Sequence, residues 1–157
     1  MKNNKTLVIA THNSAKFAEL TTLLRDSGFN LVSLADLGIT HDVDETGTTF
    51  GENAILKAKE YAKLTGHMVL ADDSGLEIDA LNGEPGVYSK RYAGEDATDE
   101  EKRQFVLNKM AHVPEHERTA RFVSVVAIAE PEGKVQTFSG TMHGLITKES
   151  REPHIEE

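Results

Sequence analysis

The sequence predicts an α/β (α+β) domain built on a mixed central sheet. Three observations lead there. Short β-branched apolar runs such as Thr6–Thr11 (TLVIAT) have the length and composition of buried strands. Segments with apolar residues at helical spacing, opened by Ser, Thr or Asn, alternate with those runs. Later in the chain, Arg121–Ala129 and Val135–Ser139 flank Glu130-Pro131-Glu132-Gly133, the pattern of a hairpin.

In order, the strand at Thr6–Thr11 leads into Asn13-Ser14, which offer N-caps. Phe17, Leu20, Leu23 and Leu24 then form a helical stripe that Gly28 stops. Asn30–Leu34 is a second strand and 36–48 a polar loop. Thr49-Phe50-Gly51-Glu52 fits a capping box, and Ala54, Ala58, Tyr61 and Ala62 continue that helix to Gly66. Met68–Ala71 is expected as a third strand and Gly75–Leu81 as a fourth, before the turn cluster Gly83-Glu84-Pro85-Gly86. Thr98-Asp99-Glu100-Glu101 is a second capping box, opening a helix to about Met110. After the hairpin, a short strand is expected at Gly144–Thr147. The tail, Lys148–Glu157, is charged and without periodicity.

The 157 residues suit one domain, expected over 1–147 with 148–157 as its tail. A chain of this size buries roughly two thirds of the surface its unfolded form exposes. With no cysteine, a disulfide scaffold, a Cys-ligated zinc and a thiol nucleophile are excluded. The N-terminal apolar run is too short for a signal peptide or a membrane span, so a soluble, cytoplasmic protein with no membrane partner is expected. A net charge of −9 argues against nucleic acid, which needs a basic footprint. It leaves room for a nucleotide whose phosphate charge a divalent metal carries.

Two groups of residues could do chemistry. Thr11-His12-Asn13-Ser14-Ala15-Lys16 joins a strand to a helix start, where unpaired N–H groups and the helix dipole favour an anion. Lys16 adds a point charge suited to phosphate. The same residues also read as an ordinary capped helix with a surface lysine. The second group is acidic: Asp42, Asp44 and Glu45 in the loop, Glu52 in the next helix, and Asp72-Asp73 at the end of the third strand. Hard oxygen ligands of this kind suit Mg²⁺. Glu52 also reads as the capping-box acid and Asp42 as a solvated charge. Successive strand residues face opposite sides, so one of Asp72 and Asp73 is expected in a shared cleft and the other in a local hydrogen bond. Lys57 and Arg91 are further phosphate-ligand candidates, though each taken alone reads better as a solvated surface charge. His112 and His116 have metal-like spacing, but Pro114 breaks the helix that would align them. Ser74 has no evident histidine base and could donate a hydrogen bond to a ligand.

The segments TLVIATHNSAKFAEL, DETGTTFGENAILKAKEYA and LADDSGLEIDALNGEPGVYSKRYAGEDATD, in this order, resemble the house-cleaning nucleoside triphosphate pyrophosphatases of the Ham1-like type, the inosine/xanthosine triphosphatases. The resemblance runs from about Thr6 to Thr147. It implies a long mixed sheet flanked by helices, with two lobes and a nucleotide cleft between them. It implies Mg²⁺-dependent hydrolysis (Mn²⁺ as a substitute) of non-standard purine triphosphates such as dITP, ITP and XTP to the monophosphate and pyrophosphate, by a homodimer. By motif, Thr11, His12, Asn13, Ser14, Ala15 and Lys16 would bind the triphosphate. Asp73 would be general base and metal ligand, Ser74 a nucleotide contact and Lys57 a phosphate contact. The second metal carboxylate falls at Asp44 or Glu45. The family's base-reading segments, expected beyond Thr147, are not recognisable in Lys148–Glu157. A catalytically impaired nucleotide- and metal-binding form is therefore the second reading. A phosphatase of the haloacid dehalogenase type is a third, but it wants two aspartates separated by one residue, and Asp72 and Asp73 are adjacent.

Overall fold

The computed structural model describes residues 4–151. Its regular elements are β1 (Thr6–Ile9), α1 (Ser14–Leu24), β2 (Asn30–Ser33), α2 (Phe50–Thr65), β3 (Met68–Ile78), α3 (Asp99–Lys109), β4 (Thr119–Ala129) and β5 (Val135–Leu145), with three short 3₁₀ turns. The strands form one five-stranded sheet in the order β2-β1-β3-β4-β5. β1 runs parallel to β2 and to β3, pairing Val8 with Val32 and Val69. β4 and β5 are a hairpin closed by Glu130 N–H to the Lys134 carbonyl at 2.8 Å, with Gly133 at φ +105° in its turn. The sheet is thus mixed, as the sequence predicts.

The chain divides into two compact units, Met1–Asp73 with Ser124–Gly140, and Ser74–Val123 with Thr141–Glu157. In the first unit, strand alternation builds a core on each face of the sheet. Val8, Val69 and Ala71 pack with Ala54, Ala58, Tyr61 and Ala62 of α2. Leu7, Ile9 and Leu70 point the other way and meet Phe17, Leu20 and Leu24 of α1. Each Val, Leu or Ile buried in this way contributes about 1.5–3 kcal/mol before entropy is counted. The second unit has its own core of Ile78, Met110 and Ala120, joined by Leu76, Val106 and Ile146. There the buried Arg118 guanidinium donates to the carbonyls of Met110, Val113, Ile146 and Thr147, which ties the chain after β5 to the end of α3. Thr147 Oγ1 then donates to the Glu149 carbonyl; residues 152–157 of the expected tail lie outside the described residues.

Several elements differ from the sequence expectation. The third and fourth strands are one, Met68–Ile78, because Gly75 is buried and continues the strand rather than turning it. Asp72 and Asp73 consequently lie inside a strand and not at its end. The short strand expected at Gly144–Thr147 is the far end of β5, which continues through Ser139–Gly144. Helix α1 ends at Leu24 with Arg25 as its C-cap, before the expected stop at Gly28. The capping box at Thr49 is half formed. Thr49 accepts from Glu52 N–H, but the Glu52 carboxylate goes one residue further back, to Thr48 N–H and Oγ1 at 2.7 and 3.0 Å. The box at Thr98 and Glu101 is complete.

Candidate active site

The face of each core decides where the two acids go. Residues Val69 and Ala71 belong to the α2 side, so the next odd position, Asp73, faces α2; Leu70 belongs to the α1 side, and so does Asp72. Asp73 Oδ2 accepts from Asn53 Nδ2 at 3.1 Å. Asp72 Oδ2 accepts from Lys16 Nζ at 2.5 Å. Both aspartates are buried, and neither is left to pay the full desolvation of an unpaired charge.

Helix α2 is the organiser. Asn53 and Lys57 are one turn apart and so share a face. The Asn53 side chain accepts from Gly47 N–H at 2.7 Å while donating to Asp73. Lys57 Nζ donates to Glu45 Oε1 at 3.1 Å and also to the Asp72 carbonyl oxygen. Two parallel bridges therefore run from the loop 44–48, over one face of α2, to adjacent residues of β3. Glu45 is half-buried within this arrangement, whereas Asp44 is exposed and its carbonyl accepts from Thr46 N–H.

The segment from Thr11 to Lys16 is a helix start capped by Asn13. Asn13 Oδ1 takes the N–H groups of Ala15 and Lys16 at 3.0 and 3.1 Å, and Thr11 Oγ1 takes that of Asn13. Two of the amides expected to cradle an anion are thus already occupied, and Ser14 and His12 are exposed. Lys16 is directed at Asp72. His12 Nε2 lies 3.0 Å from the His41 carbonyl oxygen and 3.3 Å from the Tyr61 hydroxyl. Ser74, half-buried, is the next residue of β3 and the first of the second unit.

The structure brings together Lys16, Glu45, Lys57, Asp72 and Asp73, with Asn53 as the connector. It does not assemble Asp44, Glu45 and Asp73 as a three-acid set: among the described residues no three Asp, Glu, His or Cys side chains gather at metal-binding range. A hard divalent cation still fits the donors, because Mg²⁺ commonly takes one or two carboxylates and completes its shell with water and phosphate. The Lys57 ammonium already rests between a Glu45 carboxylate oxygen and a β3 carbonyl, so the space favours positive charge. Arg91 ends a 3₁₀ turn in the second unit and is exposed. His112 is exposed, and His116 lies 3.6 Å from Glu117.

Asn53, Tyr61 and His41 received no site role from the sequence. Asn53 had a usable signal: it is a polar residue on the apolar stripe of α2, between Phe50 and Ala54, and only 1% exposed. A buried amide on such a stripe must find partners for all its polar atoms.

Residues 7–155 match the model of the Ham1 family. The chain belongs to the Ham1 family. It is 47% identical over 145 residues to the dITP/XTP pyrophosphatase of Exiguobacterium sibiricum, covering 92% of this chain and 73% of that protein. It is 45% identical to the dITP/XTP pyrophosphatase of Bacillus subtilis, covering 94% and 74%. Among solved structures, a HAM1 protein from Coxiella burnetii superposes with a TM-score of 0.86 at 43% identity, over 94% of this chain and 75% of that one. The Staphylococcus aureus Ham1 protein gives a TM-score of 0.82 at 42% identity, over 92% and 73%. The α/β fold is therefore that of Ham1 proteins.

Proposed function

We propose that this protein hydrolyses non-standard purine nucleoside triphosphates of the dITP and XTP kind to the monophosphate and pyrophosphate. The observation that carries the reading is the pair of bridges over α2, which place Glu45 and Lys57 beside Asp72 and Asp73. Kinship with proteins named dITP/XTP pyrophosphatase supports the substrate class. The bond broken is the α–β phosphoanhydride, with water supplying the oxygen.

In this reading Asp73 takes the proton of the attacking water, and its hydrogen bond from Asn53 fixes the carboxylate's direction. Lys16 and Lys57 offset negative charge on the triphosphate. Since Asp72 holds Lys16, a bound phosphate shares that ammonium with Asp72. Glu45 and Asp73 would hold Mg²⁺, with Mn²⁺ as a substitute. Bound there, the ion would neutralise phosphate charge and polarise the phosphorus. Glu45 is preferred to Asp44 because it is half-buried and joined through Lys57 to β3.

A homodimer in the cytoplasm completes the proposal. It rests on the family resemblance, and among the described residues no helix is long and apolar enough to cross a membrane. No observation favours the impaired nucleotide-binding form. The deciding experiment is pyrophosphate release from dITP, XTP, ITP, dATP and dGTP, with Mg²⁺ and with excess chelator. Turnover of dITP and XTP at about 1 s⁻¹ or more, with dATP far slower, is expected. Absent turnover, or equal rates on all five, would overturn the reading.

A further inference from the structure

We propose that Tyr61 is a positioning residue: its hydroxyl, with His12, grips the carbonyl of His41 and so holds the phosphate-binding segment in place against the loop that carries Glu45. The inference rests on the proposed function for its kinetic consequence, but its structural content stands separately.

Tyr61 follows Lys57 by one helical turn and Asn53 by two, so one stripe of α2 carries all three. Its ring is buried, 1% exposed, among Val8, Ala10, Leu34 and Val43. A phenylalanine would fill that space equally well. The hydroxyl is the unexplained part. It does not bond within its own helix; it donates to the His41 carbonyl at 2.7 Å. The same carbonyl lies 3.0 Å from His12 Nε2. A carbonyl can only accept, so Nε2 of His12 carries the hydrogen in this contact. The single Tyr61 hydrogen is spent on the carbonyl, and the phenol oxygen, 3.3 Å from the same Nε2, can accept from it. The three groups close a triangle with every donor matched. Burial, reinforced by the charges of Asp42 and Glu60, holds the Tyr61 pKa above its ordinary value, with the Val43 amide opposing; the hydroxyl stays a donor at neutral pH.

What the triangle joins is specific. His12 is the residue before the Asn13 cap and four before Lys16. His41 is four before Glu45, and its ring is pinned to Glu60 of α2 at 2.7 Å. The two segments come from chain positions 29 residues apart, and the carbonyl of His41 is their shared anchor. Loosening it lets the cation at Lys16 drift from the carboxylate at Glu45, which weakens triphosphate binding before it affects the chemical step.

The test uses Tyr61→Phe, His12→Ala and the double variant in the full chain. Amide hydrogen exchange should quicken in residues 11–16 and 43–46 of Tyr61→Phe, while β1 and the middle of α2 keep wild-type protection. With dITP, KM should rise about tenfold and kcat change less than about twofold, the size of one lost hydrogen bond. The double variant should be no worse than the poorer single, because both break one triangle. Unchanged exchange in both segments overturns the proposal. So does a lowered unfolding midpoint with unaltered KM, or full additivity in the double variant. If the wild-type chain turns over no triphosphate, the function reading fails and the exchange comparison still decides the positioning role.

Discussion

Asp72 and Asp73 are neighbours in sequence, yet their carboxylates are bonded to different helices: Asp72 to Lys16 of α1 at 2.5 Å, Asp73 to Asn53 of α2 at 3.1 Å. The pleat of β3 makes the separation unavoidable. It gives one carboxylate a cation that holds it and the other a neutral amide that aims it.

The first prediction follows from Asp73. Asp73→Asn keeps the shape and can still accept from Asn53, but it loses the base and one ligand charge. Pyrophosphate release should fall by about 10²–10⁴-fold, the usual weight of a positioned general base. A rate within a few fold of wild type in a dITP assay would remove Asp73 from that role.

Asp72 should behave differently. Asp72→Asn removes the carboxylate charge that Lys16 meets at 2.5 Å, but the lysine side chain is 34% exposed and can turn to water. Stability should drop by about 1–3 kcal/mol, as for other disrupted buried polar pairs. The Mg²⁺ concentration for half-maximal rate should move much less than in Asp73→Asn. Urea denaturation and metal titration of both variants measure this. Equal loss of metal response in the two would contradict the separation of roles.

Much of this was legible in the sequence. Val69-Leu70-Ala71 marks a buried strand, and period-two alternation alone separates Asp72 from Asp73. The stripes of α1 and α2 and the hairpin at Glu130–Gly133 are local signals, and they hold. Ser74-Gly75 misleads because the same dipeptide that marks turns also fits a buried strand. The far half of β5, SGTMHG, has no alternation to reveal it, and it is exposed throughout. The contact of Tyr61 with the His41 carbonyl could not be foreseen, since it depends on where a loop of little pattern crosses a helix.

The loop acids yield a third prediction. Glu45→Gln should raise the Mg²⁺ requirement by about tenfold or more, the scale seen when groups around a metal are removed. Asp44→Asn, at an exposed position, should leave it nearly unchanged. Repeating the titrations with Mn²⁺ should give the same order. The reverse order would assign the ligand to Asp44.

Acid dependence gives a fourth. Hydrogen bonds from Thr48 N–H and hydroxyl hold the Glu52 carboxyl below its ordinary 4.5, with burial opposing them. A depressed folded value means that the stabilisation is complete above 4.5 and is lost as pH falls through the lowered value. Glu52→Gln should therefore lessen the loss of stability on acidification from neutral pH. Asp36 and Glu100, also held low, keep part of the slope. Unfolding midpoints from pH 7 down to strongly acid conditions would show it; identical slopes for variant and wild type would deny Glu52 any share.

The last prediction concerns Gly47, which carries no side chain and yet sits against the site. A Cβ there would lie 2.6 Å from Asn53 Oδ1, 2.7 Å from Glu52 Cβ and 3.1 Å from Asn53 N. Two of those atoms belong to the first turn of α2 and cannot simply swing away. Gly47→Ala must therefore shift Asn53, losing the Gly47 N–H bond at 2.7 Å and disturbing the amide that aims Asp73. Overpacking of this kind costs about 1–3 kcal/mol, and the rate should fall as well, by about tenfold, through Asp73. Gly28→Ala is the matched control. Its φ of +80° makes a side chain strained, but a Cβ there meets nothing within 4 Å. It should cost about 1 kcal/mol of stability and leave the rate per folded molecule intact. If both variants lose stability and neither loses rate, Asn53 does not transmit the position of Gly47 to Asp73.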